Sequence, residues 1–126
     1  MAKKKRKERP GYIWNTYGDW CATLVDGHIW DLRGNWIGWI DENRDVYKAD
    51  GEWIGTLSRD MRILRKRTAR SRALQEHIPE TPPKPELPAR ATLPPSFAEL
   101  TYSEIDVLEE DPQAFQRISD LKKDMD

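Results

Sequence analysis

Ile13-Trp14-Asn15-Thr16-Tyr17-Gly18-Asp19-Trp20-Cys21-Ala22-Thr23-Leu24 is followed, sixteen residues on, by Ile29-Trp30-Asp31-Leu32-Arg33-Gly34-Asn35-Trp36-Ile37-Gly38-Trp39-Ile40. Seventeen residues later comes Val46-Tyr47-Lys48-Ala49-Asp50-Gly51-Glu52-Trp53-Ile54-Gly55-Thr56-Leu57. The stretch from Gly11 to Lys66 is therefore a repeat. A fourth unit opens at Ile63-Leu64-Arg65-Lys66 and never reaches a Gly-x-Trp.

Each unit predicts a β-hairpin. A short first strand (Tyr12-Ile13-Trp14, His28-Ile29-Trp30, Asp45-Val46-Tyr47) leads to a turn with glycine at one fixed place, Gly18, Gly34 or Gly51. Glycine takes the positive φ that a tight hairpin needs. The second strand alternates, and period two predicts that Trp20, Ala22 and Leu24 share a face, as do Trp36, Gly38, Ile40 and Trp53, Gly55, Leu57. The order large, tiny, branched reads as packing, with the small residue leaving room for a neighbouring indole. Trp14, Trp20, Trp30, Trp36, Tyr47 and Trp53 are the expected repeat core. Burying one indole removes ~150–250 Å² from water, worth roughly 4–6 kcal/mol at ~25 cal/mol/Å² as an upper bound. One unit is too small to fold alone, so the units must bury one another's faces.

This pattern, Ile-Trp/Tyr-x-x-x-Gly-x-Trp-Ile-Gly-x-Leu/Ile with Asp, Gly or Asn between units, resembles the bacterial four-fold β-flower domains. The resemblance covers residues 11–66. It implies four short hairpins around a pseudo-four-fold axis, and it brings no catalytic residues. The fourth unit departs from it by lacking a second strand. That strand comes from elsewhere in the chain, from a second copy in a homo-oligomer, or not at all.

The expected fold class is mainly β, a pseudo-four-fold flower with an incomplete last unit, followed by a proline-rich linker and two short amphipathic helices. Five segments result: a disordered basic arm at 1–10, the hairpin repeat at 11–66, a basic and helical segment at 67–76, the linker at 77–96 and an acidic helical tail at 97–126. Seven of the nine prolines fall between Pro79 and Pro95, in an extended polyproline-type spacer. Its Pro-x-x-Pro spacings support SH3-type recognition only weakly. In the tail, Thr101-Tyr102-Ser103-Glu104 has capping-box spacing, with Tyr102, Ile105 and Leu108 as a stripe behind it. Asp111-Pro112 predicts a second helix carrying Phe115, Ile118, Leu121 and Met125. Those stripes must be covered, either by the flower or by a protein partner.

Charge is unevenly spread, although the net charge is −1. Residues 1–10 hold six Lys or Arg, including Lys3, Lys4, Lys5, Arg6 and Lys7, against one Glu. Residues 11–60 hold nine acids against four bases, and 62–72 hold six bases (Arg62, Arg65, Lys66, Arg67, Arg70, Arg72) and no acid. Two readings of the basic clusters stand: they grip nucleic acid or an acidic partner, or they balance the acidic flower and tail internally. Asp26, Asp31, Asp41, Glu42, Asp45 and Asp50 sit where hairpins need Asx turns and do not match a calcium loop. His28 starts a strand, has no second histidine nearby and reads as a surface residue. Trp39 falls opposite Trp36, Gly38 and Ile40. It marks a binding patch or packs on the C-terminal half.

The single cysteine, Cys21, excludes an intramolecular disulfide and a cysteine zinc site and reads as a packed thiol. No stretch is long enough to span a membrane, and the basic start has no apolar run behind it, so a cytoplasmic location is expected. No Ser-His-Asp arrangement, phosphate-binding glycine loop or zinc spacing is present. No cofactor is expected. The expectation is a non-catalytic protein-interaction or structural module, with nucleic-acid binding through the basic arm and Arg62–Arg72 as the alternative. A glycan stacked on Trp39 is a third reading, with composition alone behind it.

Overall fold

Five turns share one hydrogen-bond pattern, and the three that hold the repeat glycines set the hairpins. The N–H of Asn15, Asp31 and Lys48 donates to the carbonyl four residues on, at 3.1, 2.8 and 2.8 Å. The turn glycine then donates back to the same residue (Gly18 to Asn15, Gly34 to Asp31, Gly51 to Lys48). The three glycines have φ of 87, 90 and 97°, where an L side chain is strained. Of the acids assigned to turns, Asp31 Oδ1 accepts from the N–H groups of Arg33 and Asn35, Asp41 Oδ1 from those of Asn43 and Asp45, and Asp50 Oδ1 from that of Glu52, whereas Asp45 opens a strand and its carboxylate accepts from the Trp53 indole instead of capping a turn.

The structure, a computed structural model, describes residues 9–117. Within it, β1 (Gly11–Trp14), β2 (Trp20–Val25), β3 (His28–Trp30), β4 (Trp36–Ile40), β5 (Asp45–Lys48), β6 (Trp53–Leu57), β7 (Ile63–Lys66) and β8 (Glu104–Asp106) form one antiparallel sheet in chain order. A one-turn helix, α1 (Val107–Glu110), follows β8. The fold is mainly β, and no helix among the described residues is long and apolar enough to cross a membrane.

A bulge in each hairpin changes which residues share a face. Ile13 pairs with Ala22 but Trp14 with Trp20, Ile29 with Gly38 but Trp30 with Trp36, and Val46 with Gly55 but Tyr47 with Trp53. Cys21, Ile37 and Ile54 are the extra residues. Directly paired residues lie on one face. Each Trp therefore joins the aromatic face of its first strand and leaves the face of its own Gly or Ala, contrary to the period-two expectation. One face is aliphatic, with Ile13, Ala22, Ile29, Val46, Ile54, Leu57 and Ile63 buried and Cys21 and Ile37 packed on them. The other is aromatic, with Tyr12 set edge-on to Trp20 at 5.7 Å between ring centres, and Trp39 stacked on Trp36 and Tyr47 at 6.2 and 5.3 Å. The space over Gly38 and Gly55 is taken by the carbonyls of Tyr47 and Leu64 on the neighbouring strand, not by an indole.

The fourth hairpin is completed by the same chain. β8 pairs with β7 in the register Leu64–Asp106, Arg65–Ile105, Lys66–Glu104. Residues 67–103 reach it by passing the other units' turns. The Gln75 N–H donates to Gly51 O, Lys84 and Leu87 lie against Gly34, and Pro94 lies against Gly18. The helix expected over 68–76 is absent: the segment is anchored at its two ends, Arg67 N–H to Ser103 O and Gln75 N–H to Gly51 O of the third turn, and runs irregularly between them. The helix expected from Thr101 is also absent. The open edge of β7 draws residues 104–106 into a strand, a tertiary demand that overrides a local cap. Asp106 becomes the cap of α1 instead, its Oδ1 accepting from the N–H groups of Leu108 and Glu109. Leu108 and Ala114 are buried in the aliphatic core, with Phe115 packed against it. Residues 112–116 form turns rather than a helix. Ile118, Leu121 and Met125 lie outside the described residues, as do Lys3, Lys4, Lys5, Arg6 and Lys7.

The two ends of the sheet meet at a seam. Thr16 donates its N–H and its hydroxyl to Asp106 Oδ2, both at 2.6 Å, and the carboxylate is almost wholly buried. The Trp14 N–H bonds Met61 O at 2.9 Å beside a bridge from Trp14 to Arg62. Replacing Asp106 by Ala removes a cap and two buried bonds to a charged acceptor. A loss of about 2–4 kcal/mol in urea unfolding is expected. A loss below about 0.5 kcal/mol, the size of an ordinary surface change, would show that this contact does not close the sheet.

Candidate functional site

The basic stretch 62–72 divides into an internal part and a surface part. Arg62 belongs to the seam. Its side chain is 1% exposed, and its Nε and Nη2 form a fork on Asp60 at 3.1 and 2.7 Å. Nη1 donates to the Thr16 hydroxyl, Nη2 also reaches Ala98 O, and the Phe97 ring lies 5.0 Å from the guanidinium carbon. Every face of this group is occupied, so Arg62 holds the fold and is not offered to a ligand. Burial would raise the Asp60 carboxyl. The Arg62 bonds, the Ser58 hydroxyl and the Ala98 N–H outweigh it and hold the pKa at about 2.

Arg65, Lys66 and Arg72 line one open cleft of about 460 Å³ between β6, β7 and the irregular segment after β7. Trp53 and Thr56 of β6 form its wall. The indole is held in place from behind: Nε1 donates to Asp45 Oδ1 at 3.1 Å, and Asp45 also accepts from the Thr56 hydroxyl. The Arg72 guanidinium carbon lies 3.8 Å from the centre of the indole. Its side chain is half exposed and reaches Asp45 at 3.6 Å. Glu104, opposite Lys66 across the last strand pair, is the one acid in the cleft wall. Arg67 sits apart. Its N–H bonds Ser103 O, its guanidinium carbon lies 4.6 Å from the centre of the Tyr102 ring, and its Nε donates to Tyr102 O. Arg70 is exposed.

The residues proposed for a protein partner are scattered. Trp39 is buried in the aromatic stack, Leu108 is in the core, Phe115 packs beside Gly38, and Ile105 is half-buried on β8. Tyr102 is 86% exposed. The structure thus brings together Arg65, Lys66 and Arg72 and adds Trp53 and Thr56. A signal for the latter two was the loss of a second-strand ring between units two and three, Trp39 against Thr56.

Other reactive groups have internal roles. Burial, with Asp106 and Asp19 nearby, pushes the Cys21 thiol up to about 11, which disfavours the thiolate needed for nucleophilic chemistry. His28 is more than a surface residue: its Nδ1 accepts from Trp36 Nε1 at 3.2 Å, and burial lowers its pKa despite Asp26. Among the described residues, no three His, Cys, Asp or Glu side chains are grouped to hold a metal.

Four hairpins joined in sequence into one curled sheet define a small β-repeat domain. A family model described as 4-fold beta flower protein matches residues 11–103, and the chain belongs to that family. No curated protein and no solved structure matches the chain. The family match ends one residue before β8, the strand that completes the fourth hairpin.

The depressed Asp60 pKa has a consequence for acid stability. A carboxyl with a lowered folded pKa stabilises the protein fully above its unfolded value, about 3.9. That contribution is lost as pH falls towards the folded value of about 2. In urea unfolding, the stability advantage of the native chain over Asp60→Asn should be constant from about pH 5 to pH 7 and shrink between about pH 4 and pH 2. An advantage that is unchanged across that window would show that the Arg62–Asp60 pair is not what ionises there.

Proposed function

We propose that this protein is a non-catalytic interaction module whose C-terminal segment docks on its own domain and whose basic strip, Arg65 to Arg72, meets an anionic partner. One observation carries the reading. The tail's apolar residues Leu108, Ala114 and Phe115 are taken up by the flower in cis, while Arg65, Lys66, Arg70 and Arg72 keep solvent access beside an otherwise acidic domain. Among the described residues, Asp31, Asp41 and Asp106 serve turns and a cap, Asp60 is forked on the buried Arg62, Asp45 holds the Trp53 indole, and Cys21 and His28 serve packing, which supports the non-catalytic reading. An acidic protein surface fits the strip by charge.

Nucleic acid is the second reading, favoured by the placement of Trp53 among Arg65, Lys66 and Arg72. The test is fluorescence anisotropy with two labelled probes, oligoglutamate and an oligonucleotide, at low and physiological salt. The full chain is compared with a variant carrying Ser at 65, 66, 67 and 70. Binding that involves three or four phosphates should weaken roughly 20–50-fold from about 50 to about 200 mM salt, and the variant should lose it. No binding of either probe at low salt would leave the strip as internal charge balance and end this reading.

A further inference from the structure

The three second-strand indoles occupy equivalent places in the repeat, yet their surroundings differ. Trp20 has Tyr12 edge-on at 5.7 Å. Trp36 has Trp39 stacked at 6.2 Å and His28 at 6.0 Å. Trp53 has no aromatic partner among the described residues. The position that carries Tyr12 and His28 in units one and two is Asp45 in unit three, and the position of Trp39 is Thr56. The ring that units one and two carry at the first position is thus missing over Trp53, and Thr56, like Thr23 in unit one, supplies none. An arginine from outside the repeat, Arg72, lies over the indole instead, on a segment without regular structure and with its side chain half exposed.

A fixed aromatic ring in an open cleft, flanked by cations, matches the chemistry of single-stranded nucleic-acid sites. Bases stack on aromatic and guanidinium planes, and Lys or Arg neutralise the phosphates. We propose that the cleft binds single-stranded nucleic acid, with one base stacked on Trp53 in or beside the place of the Arg72 guanidinium and the adjoining phosphates on Lys66 and Arg72, since Lys66 shares the sheet face of Trp53 and Thr56. This rests on the anionic-partner reading and, of its two candidate ligands, takes nucleic acid over an acidic protein because Trp53 stands in the cleft. A duplex keeps its base faces inside the stack and cannot present one to Trp53. An acidic peptide would satisfy the cations but leave the indole unused. Asp45 holds the ring before any ligand arrives, so little order is lost on binding. Glu104 opposes a bound phosphate.

The experiment uses the full chain and four labelled probes: single-stranded oligothymidylate, oligouridylate, an abasic phosphodiester of equal length, and oligoglutamate. The base-bearing strands should bind roughly 5–100-fold tighter than the abasic chain. Thr56→Trp restores the ring that unit two carries and should erase that preference while the melting temperature is kept. Trp53→Leu should erase it as well. Lys66→Ser should weaken base-bearing and abasic chains alike, and Glu104→Gln should tighten both. Equal affinity for base-bearing and abasic chains would overturn the stacking site and leave the anionic-partner reading standing. Preference for oligoglutamate would overturn it in favour of an acidic protein. Binding of none of the probes would end both.

Discussion

The buried carboxylate of Asp106 is the contact that ties the two ends of the curled sheet together. A sheet of sequential hairpins has two free edges, and each edge exposes unpaired backbone groups. Here the problem is met in three consecutive residues. Glu104 to Asp106 pair with β7, Asp106 Oδ2 bonds Thr16 after β1, and Asp106 Oδ1 caps the helix that carries Val107 and Leu108 into the core. Thr16 passes the connection on by accepting from Arg62, which is forked on Asp60. First hairpin, last loop, linker end and tail are thus joined through one chain of charge-assisted bonds. Such a network is stable when every member is satisfied and fragile when one is removed.

The hairpins themselves were legible because each turn is encoded locally. A glycine in one place, an Asp or Asn beside it and a Trp two residues on are enough to fix the turn, and their recurrence identified the family. The faces were not legible. A bulge adds a residue without any required residue type, since Cys21, Ile37 and Ile54 occupy it equally well. Period-two reading past that point assigns every later side chain correctly and the Trp wrongly. Trp39 shows the result. Counted along the strand it stood alone on its face. In the structure it is the middle of a stack with Trp36 and Tyr47.

The tail was misread for a different reason. Thr101 to Glu104 do carry the residues of a helix cap, and an isolated peptide has little else to guide it. The deciding term is the unpaired edge of β7, which ends 38 residues before Glu104 and is absent from any local window. A fourth unit that stops at Lys66 announces a missing strand. It does not say that the strand lies beyond a proline-rich segment that visits the turns of units three, two and one on the way. Residues 67–76 open that strap, anchored at Arg67 and Gln75 and irregular between them.

Repetition gives this domain its stability, and departures from repetition give it distinct surfaces. At the position before the first core aliphatic the units carry Tyr12, His28, Asp45 and Arg62. The first two meet the indole of their own hairpin, Asp45 anchors Trp53 by its edge, and Arg62 has no indole to meet and turns to the seam. The same backbone site thus serves ring packing, ring orientation and closure. A surface that is altered in only one unit, while the backbone of all units is kept, is free of the packing demand that the other units still meet. Trp53 is the indole so released. The basic segment that leaves the repeat immediately after unit four brings Arg72 and its neighbours to it, so charge and aromatic face meet where the repeat ends and the strap begins.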